Sequence, residues 1–520
     1  MIRIKNIKVD VINNNLEDKI YKVLNTKNIK NIKINKRSID ARREEVYYVY
    51  EVDVEVDNEE KYLNIDGISK TPNEEYVYDI TGEKVLNNRP IIVGSGPSGL
   101  FCAYFLAEAG YKPLIIERGK KLEDRVKDVE NFWNNDFLDK NSNVVFGEGG
   151  AGTFSDGKLN TLKKDKNFIQ KRVFEIFVEN GAPEEILYDA MPHIGTDILR
   201  KVIVNMREKI ISMGGEFRFS TTMTNLIIDN NKIVGIEVNN KEIIDTDIVI
   251  LALGHSAKDT FKMLYEKKLE ITSKPFAVGV RIEHNRNMIN EAQYGKYRDY
   301  LPAAYYKLTN NVNGRGVYTF CMCPGGYVIN SSSEEDGIVI NGMSNYKRDS
   351  SNSNSAIIVT VNEKDYGNNP LDGIKFQEEL EKKAFIEGKG YIPVQLYKDF
   401  KENKVSDRFK SVKPVFKSKY TFANINNILP KEIICSIINS IDSFDNKIKG
   451  FASDDAIISA VETRTSSPIR IIRDDNLESS IKGIYVIGEG AGYAGGITSS
   501  GMDGVKAFES VIKEYKTFTN

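Results

Sequence analysis

Cysteine and histidine are both scarce: the 520 residues hold four of the first and three of the second. Four cysteines without a framework of spacings exclude a disulfide-stapled scaffold and fit a reducing, cytoplasmic compartment. Three histidines with no metal-ligand spacing leave no basis for a metal centre. Charge of neither sign is in excess. The formal net charge is −2, which excludes a chain that is basic throughout. No internal repeat is visible. Residues 1–15 (MIRIKNIKVDVINNN) lack the apolar core of a secretory signal. The stretch 90–107 carries no charged side chain, but GSGPSG interrupts it, so it reads as strand, turn and helix rather than a membrane span. No membrane partner is expected.

What is present is the composition of a soluble globular chain, 41% hydrophobic and 28% charged. The length suggests roughly three or four domains. Residues 1–88 read as a small α+β unit. Residues 2–12, 29–39 and 46–56 alternate apolar and polar side chains, the period of strands, and 16–24 has helical spacing. Its charge is polarised, with 12 Lys or Arg against 4 acids over 1–43 and 3 against 13 over 44–88. A basic face is a candidate for nucleic acid, but no stacking-aromatic signature accompanies it, so a docking or capping role is preferred. Further on, 168–179, 196–213 and 373–387 read as helices, and 216–222, 226–229, 233–238, 248–253 and 317–323 as strands. Asp349–Ser355 (DSSNSNS) is the most linker-like segment.

The sharpest motif spans residues 89–119. A buried strand, 90–93, runs into Gly94, Gly96, Pro97, Ser98 and Gly99, and a helix comes next. Gly94 permits the tight turn, Gly96 lets a pyrophosphate approach the backbone, and Gly99 lets helix and strand pack closely. The helix N-terminus then offers free N–H groups to phosphate. A second strand, 113–116, ends at Glu117, where a carboxylate can accept from ribose hydroxyls. Strand, turn, helix, strand and acid in register predict dinucleotide binding.

Glu117-Arg118 after such a unit resembles the FAD-binding flavoproteins of the glutathione-reductase structural class. FGEGGAGTFSDGKL (146–159), LALGHSA (251–257), PFAVGVRIEH (275–284), CMCPGG (321–326), VETRTSSPIR (461–470) and IGEGAGYAGGITSSGMDG (487–504) are together similar to a bacterial family of FAD-dependent dehydrogenases of unknown substrate. The resemblance runs from about residue 89 to the C-terminus, and the RSIDAR segment (37–42) extends it into the N-terminal unit. It implies FAD as cofactor.

The residues of these segments also have readings of their own. Gly147, Gly149 and Gly152 satisfy GxGxxG, but no apolar helix comes after them, so the loop with Gly149, Gly150 and Gly152 is better read as a nest against a cofactor edge than as a second dinucleotide unit. DIVILALG (247–254) is a strand buried on both faces, ending at Gly254. The final strand, 483–487, leads to Gly488 and Glu489; in related flavoproteins an acid, commonly Asp, meets the ribityl or phosphate hydroxyls here. Gly496 and Ile497 open the last helix, whose N-terminus can stabilise negative charge. His255 and His284 are either site-edge or structural residues. Arg281, Arg464 and Arg470 either bind an anionic substrate or form structural ion pairs. Cys321 and Cys323, two apart on a strand, are expected on one face, as core residues before a redox pair.

The sequence therefore predicts an α/β protein: a discontinuous Rossmann-like FAD-binding domain (89–258, with a helical insertion over about 160–215, and 479–520), an inserted α+β substrate domain (259–478) and the accessory α+β domain (1–88). The expected function is an FAD-dependent oxidoreductase passing hydride through the flavin to or from a small molecule. NADH or NADPH is the candidate transient donor. A flavoprotein acting on RNA and a non-catalytic FAD-binding protein are the rival classes. The catalytic residue and the oligomeric state are not readable.

Overall fold

Strict apolar–polar alternation requires a strand with one buried face, and residues 46–56 supply it. In the computed structural model, which describes residues 1–517 except 162, 164 and 166, that strand is Tyr47–Glu55. The last three residues of the C-terminal segment and three positions of the predicted helical insertion thus lie outside the described residues. The strand belongs to an antiparallel sheet ordered Asn31–Asp40, Tyr47–Glu55, Ile2–Asp10, Ile68–Lys70. Tyr50, Val52 and Val54 are buried with Ile2, Ile4 and with Ile20 of the helix Leu16–Leu24. Part of the polarised charge is spent in pairs: Arg3 on Asp53 at 2.8 Å, Lys8 on Asp40 at 3.4 Å, and Arg37 on Asp189, outside this unit, at 2.7 Å. The connector after this sheet lies along the C-terminal helix, where Thr81 and Gly82 donate their N–H groups to the Ile512 carbonyl.

The short apolar runs of the glycine-turn region form one parallel sheet. Its order is Ile484–Val486, Val249–Leu251, Ile91–Val93, Leu114–Ile116, Glu216–Arg218. Both faces are buried, as expected of a parallel sheet. Ile92, Ile115, Ile250 and Tyr485 pack towards the helices Pro97–Glu108, Thr196–Ser212 and Ile497–Glu514. Ile91, Leu114, Val249 and Ile484 pack towards an antiparallel meander of Met223–Asp229, Lys232–Val238 and Glu242–Asp245.

Between the fourth and last parallel strands the chain builds a second sheet of seven strands, ordered Thr309–Val312, Arg315–Cys323, Asn352–Val361, Phe276–Asn285, Ile457–Glu462, Ile392–Leu396, Tyr420–Phe422. Here one expectation fails. Residues 352–355 of the supposed linker are the start of a central strand, buried and paired with Phe276–Asn285. Distant partners meet their polar side chains: Asn352 donates to Glu283 at 3.0 Å, Ser353 accepts from the Gly325 N–H at 3.1 Å, and the Asn354 oxygen accepts from Arg281 at 2.8 Å. The strand Arg315–Cys323 is also irregular. Its pairing slips between Phe320 and Cys323, and Cys321 sits at φ 41°; Cys321 is exposed and Cys323 buried, though both border one cavity. No helix among the described residues is long and apolar enough to cross a membrane.

Candidate functional site

Four parallel strands end at one edge, and each passes the chain on to residues that line the same cavity, of about 890 Å³. Gly94, Gly96, Pro97 and Ser98 come after the first, Glu117 and Arg118 after the second, residues 252–257 after the fourth, and Glu489 after the last. Loop residues 145–147, 150–152 and 155–158 add a side, Gly495–Ile497 another, and Tyr318–Cys321 of the seven-stranded sheet the facing wall. This is the position outside the carboxyl ends of parallel strands where ligands of such folds bind. A smaller cavity of about 420 Å³, by Phe132, Phe137 and Tyr391, holds none of the motif residues.

Glu117 ties the near side together. One oxygen accepts from the Ser95 N–H at 2.9 Å and the Ser95 hydroxyl at 2.7 Å, the other from the N–H groups of Gly119 and Gly147 at 2.9 and 3.0 Å. All four acceptor positions of the carboxylate are thus filled from the chain itself. The residue expected to meet a ribose is, in this structure, a clamp on three loops. The clamped loop is further held by Arg125, fully buried, which donates to the carbonyls of Asn143, Val144, Gly147 and Glu148. Only a short turn, Ala151–Phe154, comes after it, so no second dinucleotide unit forms there. Arg118 pairs with Asp259 at 2.7 Å.

Gly94, at φ 106°, makes the turn. At Gly96 a Cβ would meet nothing nearer than the Gly150 Cα at 3.9 Å, and at Gly254 and Gly495 nothing within 4 Å. The wall is bared there to whatever fills the cavity. The helices Pro97–Glu108 and Ile497–Glu514 both begin on it, the first with no side chain capping its first-turn N–H groups. A cradle of this kind fits an extended dinucleotide bearing a pyrophosphate. Of the expected cofactor residues, Gly99, Gly149 and Gly488 lie behind the wall, against Gly94, against Thr153 and Ile203, and against Ser98.

The other candidates separate clearly. His255 lines the cavity, bonded through Nδ1 to the Ser256 hydroxyl at 2.8 Å, and burial pushes its pKa down to about 4. It is neutral at pH 7. His284 is buried against the Phe451 carbonyl at 2.7 Å, and His193 meets the Tyr346 carbonyl at 3.0 Å. Arg281 is fully buried and forked onto Glu462, Arg464 is forked onto Glu381, and Arg470 is exposed away from the cavity; the first two are structural ion pairs. Glu489 lines the cavity half-buried, and burial, opposed by Lys274, pushes its carboxyl up to about 7. Cys321 opens on the cavity deep inside the molecule, and burial pushes its thiol up to about 12. No cluster of potential metal ligands occurs among the described residues. Sequence reading missed Asp156, Lys158, Thr221–Met223, Tyr305 and Lys307, all on the cavity wall. The FSDGKL motif already contained the first two.

Comparison with known proteins identifies segments of the chain. Residues 275–465 match the family described as FAD-dependent protein, C-terminal domain-like; residues 92–143 match the NAD(P)-binding Rossmann-like domain; residues 1–55 match a domain of unknown function. An uncharacterized protein of Clostridium beijerinckii is 42% identical over 531 residues, covering 99% of each chain. Among solved structures, glycine oxidase from Bacillus cereus is 11% identical with a TM-score of 0.36, covering 82% of this chain and 94% of that one. L-Proline dehydrogenase from P. horikoshii is 13% identical with a TM-score of 0.33, covering 82% and 93%.

Proposed function

Since the chain belongs to one family with the uncharacterized Clostridium beijerinckii protein and itself carries the FAD-dependent C-terminal domain over residues 275–465, we propose that the large cavity holds FAD and a small-molecule substrate together, and that hydride passes between them there. FAD bound in it supplies reversible hydride acceptance at the isoalloxazine ring. The chain's own residues do the rest. The N-terminus of Pro97–Glu108 and the bared backbone at Gly96 receive the pyrophosphate, and Arg118, Gly150, Gly152 and Gly254 line its course. Glu117 keeps the three loops in register. The N-terminus of Ile497–Glu514, with Gly496 and Ile497, sets the positive end of a helix dipole against negative charge in the cavity. Arg464 donates to the Ser256 hydroxyl at 3.1 Å and so positions the 254–257 turn. Tyr318 and Phe320 restrict water on the far wall.

The observation that carries this reading is the open space in front of Gly96, Gly254 and Gly495 at the carboxyl ends of parallel strands. The same features support placement in the glutathione-reductase structural class, a FAD-binding domain of 89–258 with 479–520, a substrate domain of 259–478 and an accessory domain of 1–88. Four unpaired cysteines support a reducing compartment. The test is anaerobic: the purified protein should release FAD on denaturation, and its bound flavin should bleach with NADH or NADPH and recolour with an acceptor. Flavin that no donor reduces would leave a non-catalytic FAD-binding protein.

A further inference from the structure

The charged groups on the cavity wall are not equally spent. Glu117 is saturated by four donors, Arg118 is paired with Asp259, and Arg464 with Glu381. Glu489 faces Lys274. Asp156 is buried, accepting from Arg348 Nε at 2.9 Å and from the Ser344 hydroxyl. Burial would raise its pKa, but Arg348, with Lys158 behind it, holds the carboxylate well below the usual range. That leaves Lys158. Its Nζ is buried with no hydrogen-bond partner among the described residues, 3.8 Å from an Asp156 oxygen already committed to Arg348, and 5.0 Å from the centre of the Tyr305 ring. Lys307, on the same wall, has no carboxylate partner among the described residues.

An ammonium whose nearest carboxylate is a shared one at 3.8 Å, with none of its three donors in a hydrogen bond among the described residues, is costly unless something accepts from it. Around these cations the wall is aromatic: Tyr305, Tyr318 and Phe320, each half-buried. The glycine turn and helix start are assigned to phosphate, so the positive charge where the 155–158 loop meets Tyr305 and the exposed Lys307 offers a place for a second anion. We propose that the substrate of this site is an organic carboxylate with an apolar body, its carboxylate held by Lys158 with Lys307 and its body against Tyr305, Tyr318 and Phe320. This rests on the flavoprotein reading and names the substrate class for it. It also moves anion recognition from the arginines to two lysines, since Arg281 and Arg464 are spent on ion pairs and Arg470 lies away from the cavity.

The test uses FAD-loaded protein titrated by calorimetry with benzoate and phenylacetate and with their uncharged amides, while flavin absorbance is tracked. The carboxylates should bind at least about tenfold tighter than the amides, the usual worth of a charge-assisted hydrogen bond. Lys158→Met should lose that preference with FAD content unchanged, and Lys158→Arg should keep most of it. Equal affinity for carboxylate and amide, no binding of either carboxylate, or loss of FAD from Lys158→Met in step with benzoate would overturn the proposal. The wild-type comparison stands even if a variant misfolds. A protein that takes up no FAD overturns the flavoprotein reading as well, whereas stoichiometric FAD without carboxylate preference overturns the substrate class alone.

Discussion

Three residues apart, Gly96 and Gly99 face different surroundings: a Cβ at the first would enter the cavity, and at the second would lie 2.0 Å from the Gly94 carbonyl oxygen. Gly96→Val is therefore expected to fold with a melting temperature near that of the FAD-free wild type yet to purify colourless. Gly99→Val should lose several kcal/mol of stability, on the order of an overpacked core site, and should fail before cofactor binding can be asked. Thermal melts with FAD content read both, and a yellow Gly96→Val protein would remove the pyrophosphate from that position. Glu489 makes a pH prediction. Its carboxyl is raised by burial to about 7, so the FAD-free fold binds its proton more tightly than the unfolded chain does. The resulting stability is fully present below the ordinary carboxyl range near pH 4.5 and is lost as pH rises through about 7. Glu489→Gln should flatten this slope and stabilise the FAD-free protein at pH 8 by about 1–2 kcal/mol, discounted for partial exposure. Urea midpoints from pH 4 to 8 are the measurement, and an unchanged slope would refute the assignment.

At the scale of elements, the last strand and last helix are locked by one carboxylate. Asp503, nearly fully buried on Ile497–Glu514, accepts from the Gly488 N–H at 2.8 Å and from both terminal nitrogens of Arg473 at 2.8 and 2.9 Å. It thereby fixes the turn that carries Glu489 to the cavity. Asp503→Ala leaves Arg473 without its partner and is expected to cost about 3–5 kcal/mol. Asp503→Asn, which can still accept from Gly488, should cost less, and both should weaken FAD retention in the same order. Denaturation midpoints with FAD dissociation would show it. Equal losses for the two variants would assign the stability to charge rather than to the turn.

Over the whole molecule, the cavity is a seam. The parallel sheet contributes strand ends and glycine turns, and the seven-stranded sheet contributes Tyr318–Cys321 opposite them. Arg37, paired with Asp189 and lying over the Tyr188 ring at 5.1 Å, fastens the N-terminal sheet to the body. Among the described residues, one parallel sheet carries one nucleotide-type turn, and the proposal gives that turn to FAD. NAD⁺ and NADP⁺ should accordingly bind the FAD-loaded, oxidised protein weakly or undetectably by calorimetry. Submicromolar binding, with FAD still in place, would require a second nucleotide fold in residues 259–478.

Local signals were readable because their causes are local. The alternation of residues 46–56 and the coincidence of strand, glycine turn, helix and acid over 89–119 depend on backbone period and on the small size of glycine, both written in neighbouring residues. That the glycine-rich loop within 146–159 borders a cavity was readable for the same reason, though not which of its side chains, Asp156 and Lys158 among them, would line it. DSSNSNS was misread because polar composition signals exposure only when no partner waits; Arg281, Glu283 and Gly325 come from other strands. Cys321 and Cys323 were placed on one face by period two, and both do border the cavity, but their unequal exposure, at a residue with positive φ, was not legible. The arginines could not be sorted from the lysines either, since whether a charge is spent depends on which carboxylates the fold brings within hydrogen-bond reach. The sequence by itself determined the elements and the nucleotide turn. Only tertiary structure decided that Glu117 clamps loops, that Arg281 and Arg464 are paired, and that Lys158 is left over, because pairing is a property of distance in space and not of order along the chain.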